Sequence, residues 1–152
     1  MAKKHFERLL VPTDFSPGAS AAATAAANLA RALGASVDVL TVVDTSPLAD
    51  AYGDPSFRAE RIAAIHAKAN ENAAAFADRH FAGVLQAPQI RVQVRDGNTF
   101  LEILRAAEDL GSDAIVMGTH GRTGVAHLLI GSVAEKVVRK SPIPVMTVRA
   151  ND

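Results

Sequence analysis

A glycine-rich stretch, GTHGRTGVAHLLIGS from Gly118 to Ser132, contains the residue types in this sequence that are best suited to ligand chemistry. It holds four glycines, two histidines and one arginine, and it directly follows the apolar run DAIVM. Connections of this length without secondary structure of their own are usually functional or disordered. The pattern therefore raises the question of what this stretch binds or catalyses.

The composition of the stretch favours an anion such as phosphate. Because glycine lacks a Cβ, the peptide N–H groups at Gly118, Gly121 and Gly131 could approach a ligand closely, and these positions could adopt positive φ. Gly131 and Ser132 are predicted to open a helix, whose first N–H groups are unpaired and carry the positive end of the helix dipole. A phosphate placed there gains several donors. The side chains of Arg122 and Ser132 could add further hydrogen bonds.

Purely structural roles for the same residues stay open. Ser132 and Glu135 fit a capping box, and glycines often serve turns alone. The Walker pattern with its lysine and the dinucleotide fingerprint are both missing from the sequence. His120 and His127 lie seven residues apart without a carboxylate or cysteine at ligand spacing, so we predict neither a histidine metal site nor a catalytic residue. The stretch indicates binding more than catalysis.

The elements that must position this stretch alternate between strands and helices. Five short apolar or β-branched runs are predicted as strands, and four longer segments between them are predicted as helices. Such an alternation implies one doubly wound parallel sheet with helices on both faces. The fold class predicted is therefore α/β, a five-stranded parallel sheet in a single domain, residues 1–152. The predicted strands lie near RLLVP, SVDVLTVVD, QIRVQVRD, DAIVM and PVMTVRA.

Capping residues predict where several helices begin and end. Ser16 and Pro17 suit the start of the first helix, and Gly34 suits its left-handed exit. Thr99 and Glu102 stand at capping-box spacing ahead of the third helix. Apolar spacings of three and four predict one buried face on the second helix, from about residue 57 to 81. The residues of that face are Ile62, Ile65, Ala69, Ala73, Phe76 and His80.

A parallel sheet of this kind predicts where the ligand lies. Ligands bind outside the carboxyl ends of the strands, at the point where the winding direction reverses. VPTDFS follows the first predicted strand and the glycine-rich stretch follows the fourth. If these two strands are neighbours, both segments face one crevice.

Composition excludes several classes of partner. The 152 residues are 49% hydrophobic and 21% charged, as in an ordinary globular domain, and 16 basic residues balance 16 acidic ones. We therefore expect no nucleic-acid partner. No apolar run reaches the ~20 residues of a membrane span, and the amino terminus has no apolar signal region. By elimination we expect a cytoplasmic protein with no membrane partner.

The spacing G, two residues, G, nine residues, G, Ser resembles the ATP-binding signature of the universal stress protein family. Gly118, Gly121, Gly131 and Ser132 match every position of it. The similarity extends to LLVPTDFS, LTVVD, EILRAAEDLGSDAIVMG and SPIPVMTVR, and so covers most of the chain. The resemblance implies a flavodoxin-like domain, akin to the adenine nucleotide alpha hydrolases, that binds ATP.

The resemblance also implies the residues that would bind the nucleotide. Asp14 would meet the ribose or a Mg²⁺ ion held by the phosphates, although it could instead compete with Ser16 to cap the first helix. Val42 would contact adenine through its backbone, and Met117 would flank the base. The remaining members are Pro12 and Thr13 on the adenine side, and Gly118, Gly121, Arg122, Gly131, Ser132 and Val133 around the ribose and phosphates.

The function implied is that of a nucleotide-dependent stress-response regulator with slow or no ATP hydrolysis. The family dimerises through its last strand, here Pro144 to Arg149, so a homodimer is expected. One alternative is a Mg²⁺-dependent ATPase or nucleotidyl-transfer enzyme that uses Asp14 and Arg122. Another is a nucleotide-free dimeric scaffold. ATP, AMP and a cyclic nucleotide are not distinguished by these residues.

Overall fold

The computed structural model describes residues 6–49, 53–120 and 130–150. The strands are β1 (Arg8–Pro12), β2 (Ser36–Val43), β3 (Ile90–Asp96), β4 (Ala114–Gly118) and β5 (Val145–Val148). The α-helices are α1 (Pro17–Leu33), α2 (Pro55–Phe81), α3 (Thr99–Leu110) and α4 (Ser132–Lys140). All five strands are parallel, in the order β3-β2-β1-β4-β5. The predicted doubly wound α/β fold is confirmed.

The strand order places the reversal of winding between β1 and β4. From β1 the chain moves outward to β2 and β3, then crosses back to add β4 and β5 on the other side. In the pairing of β1 with β4, Leu9 lies opposite Ala114 and Leu10 opposite Ile115. The expectation that these two strands are neighbours is therefore confirmed, and their carboxyl ends face the same crevice.

Two apolar layers cover the sheet, one on each face. The first joins β1 and β2 to α1 and α2, and its α1 side is built almost entirely of buried alanines, which keep that helix close to the strands. The second joins the opposite face of the sheet to α3 and α4, with Leu10, Leu40, Ile103, Ile115 and Val137 at most 1% exposed. A layer on each face leaves the carboxyl edge of the sheet as the open side.

The predicted caps of α1 are confirmed, whereas the predicted cap of α3 is wrong. The Ser16 hydroxyl accepts the Ala19 N–H at 3.2 Å, and Gly34 ends α1 with φ 67°. On α3 the cap is Asn98, whose side-chain oxygen accepts the Leu101 N–H at 3.3 Å. Thr99 is already the first helical residue, because the amide one position earlier takes the capping place.

The predicted capping box on α4 is also wrong. Gly131 occupies the cap position, so Ser132 is the first helical residue and, within the described residues, no side-chain cap is formed. Glu135 instead accepts hydrogen bonds from Arg139 one turn later. The start of α4 therefore has no side-chain oxygen of its own to satisfy its first N–H groups.

The long helix α2 buries only the second half of its predicted apolar face. Ala69, Ala73 and Phe76 are buried, but Ile62 and Ile65 are only half-buried. A helix of 27 residues spans about 40 Å, which exceeds the length of strands of 4–8 residues, so its first half extends past the sheet.

The edges of the sheet differ in how they are covered. β3 is half-exposed, as its alternating sequence predicts. β5 forms the opposite edge, where Met146 is 44% exposed.

Among the helices of the described ranges, none combines the length and the hydropathy needed to cross a membrane.

Candidate functional site

A cleft of about 310 Å³ opens at the carboxyl ends of β1, β2 and β4, where the winding reverses. Its walls include nine of the residues predicted from the sequence, and these come from segments that span more than 100 positions of the chain. The two other predicted residues, Gly121 and Arg122, lie outside the described residues, as does His127. The nine are Pro12, Thr13, Asp14, Val42, Met117, Gly118, Gly131, Ser132 and Val133.

One part of the cleft is apolar and belongs to the second core layer. The side chains come from β2, β4, α3 and α4, so four elements converge there. Ile103 and Ala134 are buried members that the sequence analysis did not single out, although Ile103 continues the apolar spacing of α3. A wall of this kind accepts a flat, weakly polar ring. Its members are Leu40, Val42, Ile103, Met117, Val133 and Ala134.

Val42 lines the cleft, and the hydrogen bonds of its neighbours indicate which way its peptide groups point. The Leu40 carbonyl accepts the Thr13 N–H at 2.8 Å, towards β1, and the Val43 carbonyl accepts the Gly97 N–H at 2.8 Å, beyond the end of β3. Peptide groups alternate in direction along a strand, so those of Val42 point to the β1 side. Because β1 has already ended at Pro12, they are placed to meet a ligand.

The polar part of the cleft is built around the first turn of α4. Gly131 and Ser132 line the cleft here, and the described residues provide no side-chain cap for the helix. Helix N-termini carry a partial positive charge and unpaired N–H groups. The geometry at this end of the cleft therefore suits a phosphate or another anion.

The turn between β1 and α1 brings a carboxylate to the same cleft. Asp14 Oδ1 accepts the Ser16 N–H at 3.0 Å, and Thr13 Oγ1 accepts the Phe15 N–H at 3.0 Å. Ser16, and not Asp14, caps α1 by accepting from Ala19, so the alternative role of Asp14 as that cap is wrong. The carboxylate instead lines the cleft.

Phe15, in the middle of this turn, was not predicted to matter. Its φ is 66°, in the left-handed region. For a residue with a Cβ this conformation costs roughly 1–2 kcal/mol. Composition and spacing give no sign of such a conformation, since it depends on what the side chain contacts.

The glycines at the cleft serve backbone packing, and the prediction of positive φ is wrong for the two described ones. Gly131 has φ −72°, and Gly118 also lies outside the positive-φ region. A Cβ at Gly118 would lie 2.7 Å from the Gly18 carbonyl carbon, and one at Gly131 would lie 2.9 Å from the Thr119 carbonyl oxygen. Close approach of chain to chain is the physical reason for glycine at both positions.

Gly18 completes this contact and was missed by the sequence analysis. It is buried in the first turn of α1, and a Cβ there would lie 2.5 Å from the His120 carbonyl oxygen. The signal was present, since a glycine in an alanine-rich helix opposes helix propensity. The start of α1 and the chain leaving β4 thus touch without intervening side chains.

The described residues offer few ligands for a metal ion at this site, so a metal ion would need a bound nucleotide to supply most of its ligands. Within residues 6–49, 53–120 and 130–150, no group of three or more histidines and carboxylates is placed to hold a metal ion. Among the described lining residues the carboxylate is Asp14, and His120 also lines the cleft, with its Nδ1 3.1 Å from the Thr119 hydroxyl. A Mg²⁺ ion at Asp14 would therefore take most of its oxygen ligands from phosphates and water.

Comparisons with known proteins identify the family to which the chain belongs. The family model described as "Universal stress protein family" matches residues 5–149. Universal stress protein MJ0531 of Methanocaldococcus jannaschii is 32% identical over 146 residues, which cover 95% of this chain and 82% of the relative. A Thermus aquaticus universal stress protein, from the QAH/OAS sulfhydrylase 3′ region, is 34% identical over 150 residues, 95% of this chain and 99% of its own.

A solved structure supports the same assignment. Universal stress protein UspA from Lactobacillus plantarum has a TM-score of 0.79 and 29% identity, with 97% of this chain and 100% of that chain covered. The chain therefore belongs to the universal stress protein family. The resemblance drawn from the glycine signature is confirmed at the level of the family.

The contact between Gly18 and the chain after β4 gives a first testable prediction. Gly18→Ala should lower the free energy of unfolding by about 1–3 kcal/mol, since overpacking outweighs the gain in helix propensity. Urea denaturation measures this. Gly83→Ala is the control, because its Cβ would meet open space, and we expect a change within about 0.5 kcal/mol. A Gly18→Ala protein as stable as the wild type would contradict the close contact.

Proposed function

We propose that this universal stress protein binds an adenine nucleotide, ATP foremost, in the cleft at the carboxyl edge of the sheet. The observation that carries the proposal is that the apolar wall and the first turn of α4, whose cap residue is a glycine, meet in this one cleft. A nucleotide has the matching division into a flat base and a charged phosphate end. The bound nucleotide would set the conformation or partner choice of a cytoplasmic, dimeric stress-response regulator.

The base end is supported by shape and by polar groups. The wall is apolar and largely buried, with Ile103 at 1% and Met117 at 6% exposure. The peptide N–H and C=O of Val42 would hydrogen-bond the polar edge of adenine, which carries both an acceptor and a donor. Pro12 and Thr13 would close the adenine side, as the family resemblance implies.

The phosphate end is supported by the helix start. Peptide N–H groups from Ser132 onward and the Ser132 hydroxyl would bind phosphate oxygens. Gly121 and Arg122, which lie outside the described residues, are proposed to add donors on the strength of the family signature. Gly118 and Gly131 would contribute by letting the chain pack closely around this end.

We propose a binder with slow or no hydrolysis in preference to an enzyme. In the described part of the lining the carboxylate is Asp14 and the imidazole is His120. Asp14 Oδ1 already accepts a hydrogen bond from the Ser16 N–H, which suits a fixed ligand-binding group more than a base that must abstract a proton. The site could position a nucleotide, but no general base is assigned in it, and this favours nucleotide binding over catalysis.

The second prediction concerns the phosphate end. Purified protein should release an adenine nucleotide on denaturation, or be stabilised by about 2.7 kcal/mol when ATP is present at 100 times its Kd. Ser132→Ala removes a hydroxyl that does not cap α4, so the fold should be unaffected. Loss of a hydrogen bond to a charged group costs about 1.5–3 kcal/mol, so the Kd for ATP should rise roughly 10–100-fold. Calorimetric titration measures it.

The matched control is Thr24→Ala, which removes an exposed hydroxyl on α1 that does not line the cleft. Its Kd for ATP should equal that of the wild type. A parallel titration with AMP distinguishes the two candidate ligands. AMP lacks the two outer phosphates of ATP, so the difference between the two Kd values gives the contribution of those phosphates. If the wild type neither contains nor binds ATP or AMP, a nucleotide-free scaffold replaces this proposal.

The third prediction separates the two roles implied for Asp14. If Asp14 binds Mg²⁺, Asp14→Asn should abolish the gain in ATP affinity produced by Mg²⁺ and leave AMP binding unchanged. If Asp14 binds the ribose, the Kd should rise by a similar factor for both nucleotides, with or without Mg²⁺. Titrations with and without excess EDTA measure this. An unchanged Kd for both ligands would remove Asp14 from the site.

The fourth prediction concerns the dimer. Strand β5 lies at the sheet edge with Met146 exposed, and unpaired edge strands invite a second chain. We propose an isologous pair through Pro144 to Arg149, in which Met146→Glu would bring like charges together and yield monomers in light scattering. Leu33→Glu, on another exposed apolar residue at the end of α1, is the control and should leave the dimer intact. A monomeric wild type would refute this interface.

A further inference from the structure

The turn from β1 to α1 contains a conformation that its own sequence does not favour. Phe15 has φ 66°, and among the described non-glycine residues only Phe6 shares a positive φ. In this region the Cβ lies too close to the following carbonyl oxygen. Such a residue persists only where the surrounding structure holds it in place.

The ring of Phe15 has an identifiable anchor. It packs edge-to-face on Phe76 of α2, with ring centroids 5.8 Å apart and planes at 69°. This is a preferred arrangement of two aromatic rings. Phe76 is itself 3% exposed and packs on the His80 ring at 4.4 Å on α2. The anchor is therefore a fixed part of the first core layer.

Phe15 lies next to the cleft without lining it. Its neighbours Thr13, Asp14 and Ser16 all line the cleft, whereas the Phe15 side chain belongs to the layer on the other face of the sheet. Its N–H donates to the Thr13 hydroxyl, and the next N–H, from Ser16, donates to Asp14 Oδ1. A change of φ at Phe15 rotates the chain after its Cα relative to the chain before it, so it would move the Ser16 N–H away from Asp14 Oδ1 and break that hydrogen bond.

We infer that Phe15 is a positioning residue for the nucleotide site, and that its packing on Phe76 holds the turn in the conformation that presents Asp14 to the ligand. This inference rests on the proposed nucleotide binding. On this inference, the contact between Phe15 and Phe76 in the first core layer influences how tightly the cleft binds its ligand. A purely structural pair of phenylalanines would affect stability alone.

The first test compares two buried phenylalanines on the same helix. Phe76→Leu removes the ring that anchors Phe15, whereas Phe81→Leu makes the same change at a residue that is 0% exposed and is not the ring partner of Phe15. Both variants should lose stability. Only Phe76→Leu should raise the Kd for ATP, by about tenfold if the binding-competent turn falls to a tenth of the population. Equal Kd values for the two variants would overturn the inference.

The second test acts on the turn itself. Phe15→Ala and Phe15→Gly both remove the ring, but only glycine adopts positive φ without steric cost. The Kd for ATP should therefore rise more in Phe15→Ala than in Phe15→Gly. Because Phe15 is only half-buried, we expect both variants to lose less free energy of unfolding than Phe76→Leu. If alanine binds as well as or better than glycine, the left-handed turn does not determine affinity and the inference fails.

The outcomes distinguish this inference from the function on which it rests. A wild type that binds neither ATP nor AMP overturns the proposed function and the inference together. A wild type that binds ATP, with Phe76→Leu matching Phe81→Leu in Kd and Phe15→Ala matching Phe15→Gly, overturns only the positioning role. Raised Kd values in Phe76→Leu and Phe15→Ala, with Phe15→Gly intermediate, support both.

Discussion

The close approach of two backbone segments, the first turn of α1 and the chain leaving β4, is the constraint on which the site depends. Gly18 lies against Gly118 and the carbonyl of His120 at distances that leave no space for a Cβ. β1 and β4 are neighbours where the winding reverses. A larger distance between the first turn of α1 and the chain leaving β4 would therefore displace the residues that line the cleft. The glycines thus shape the site first by packing the protein against itself.

The cleft combines material from both layers of the domain. Its apolar wall is continuous with the close-packed core between the sheet, α3 and α4. Its polar turn is anchored in the opposite layer through the contact of Phe15 with Phe76. The apolar wall and the start of α4 therefore belong to one core, and the turn that carries Asp14 is held by the other.

The two corrected capping boxes share a cause, which is that motif spacing alone does not fix where a helix begins. Thr99 with Glu102 and Ser132 with Glu135 both have capping-box spacing, yet each helix begins one residue earlier, after Asn98 or Gly131. In the first case a stronger capping side chain precedes the motif. In the second, the close contact of Gly131 with Thr119 sets the start of the helix.

The sequence by itself determined the alternation of strands and helices, the ends of α1, the family, and the three segments from which the candidate site residues come. Periodicity, caps and the glycine signature are local features. Only the tertiary structure decided that β1 and β4 are neighbours, that Gly18 faces Gly118, that Ile103 lines the cleft and that Phe15 takes a left-handed conformation. Each of these depends on contacts between residues far apart in the chain. Local patterns carry no record of such contacts, since the same alanine-rich helix or apolar strand would suit several strand orders.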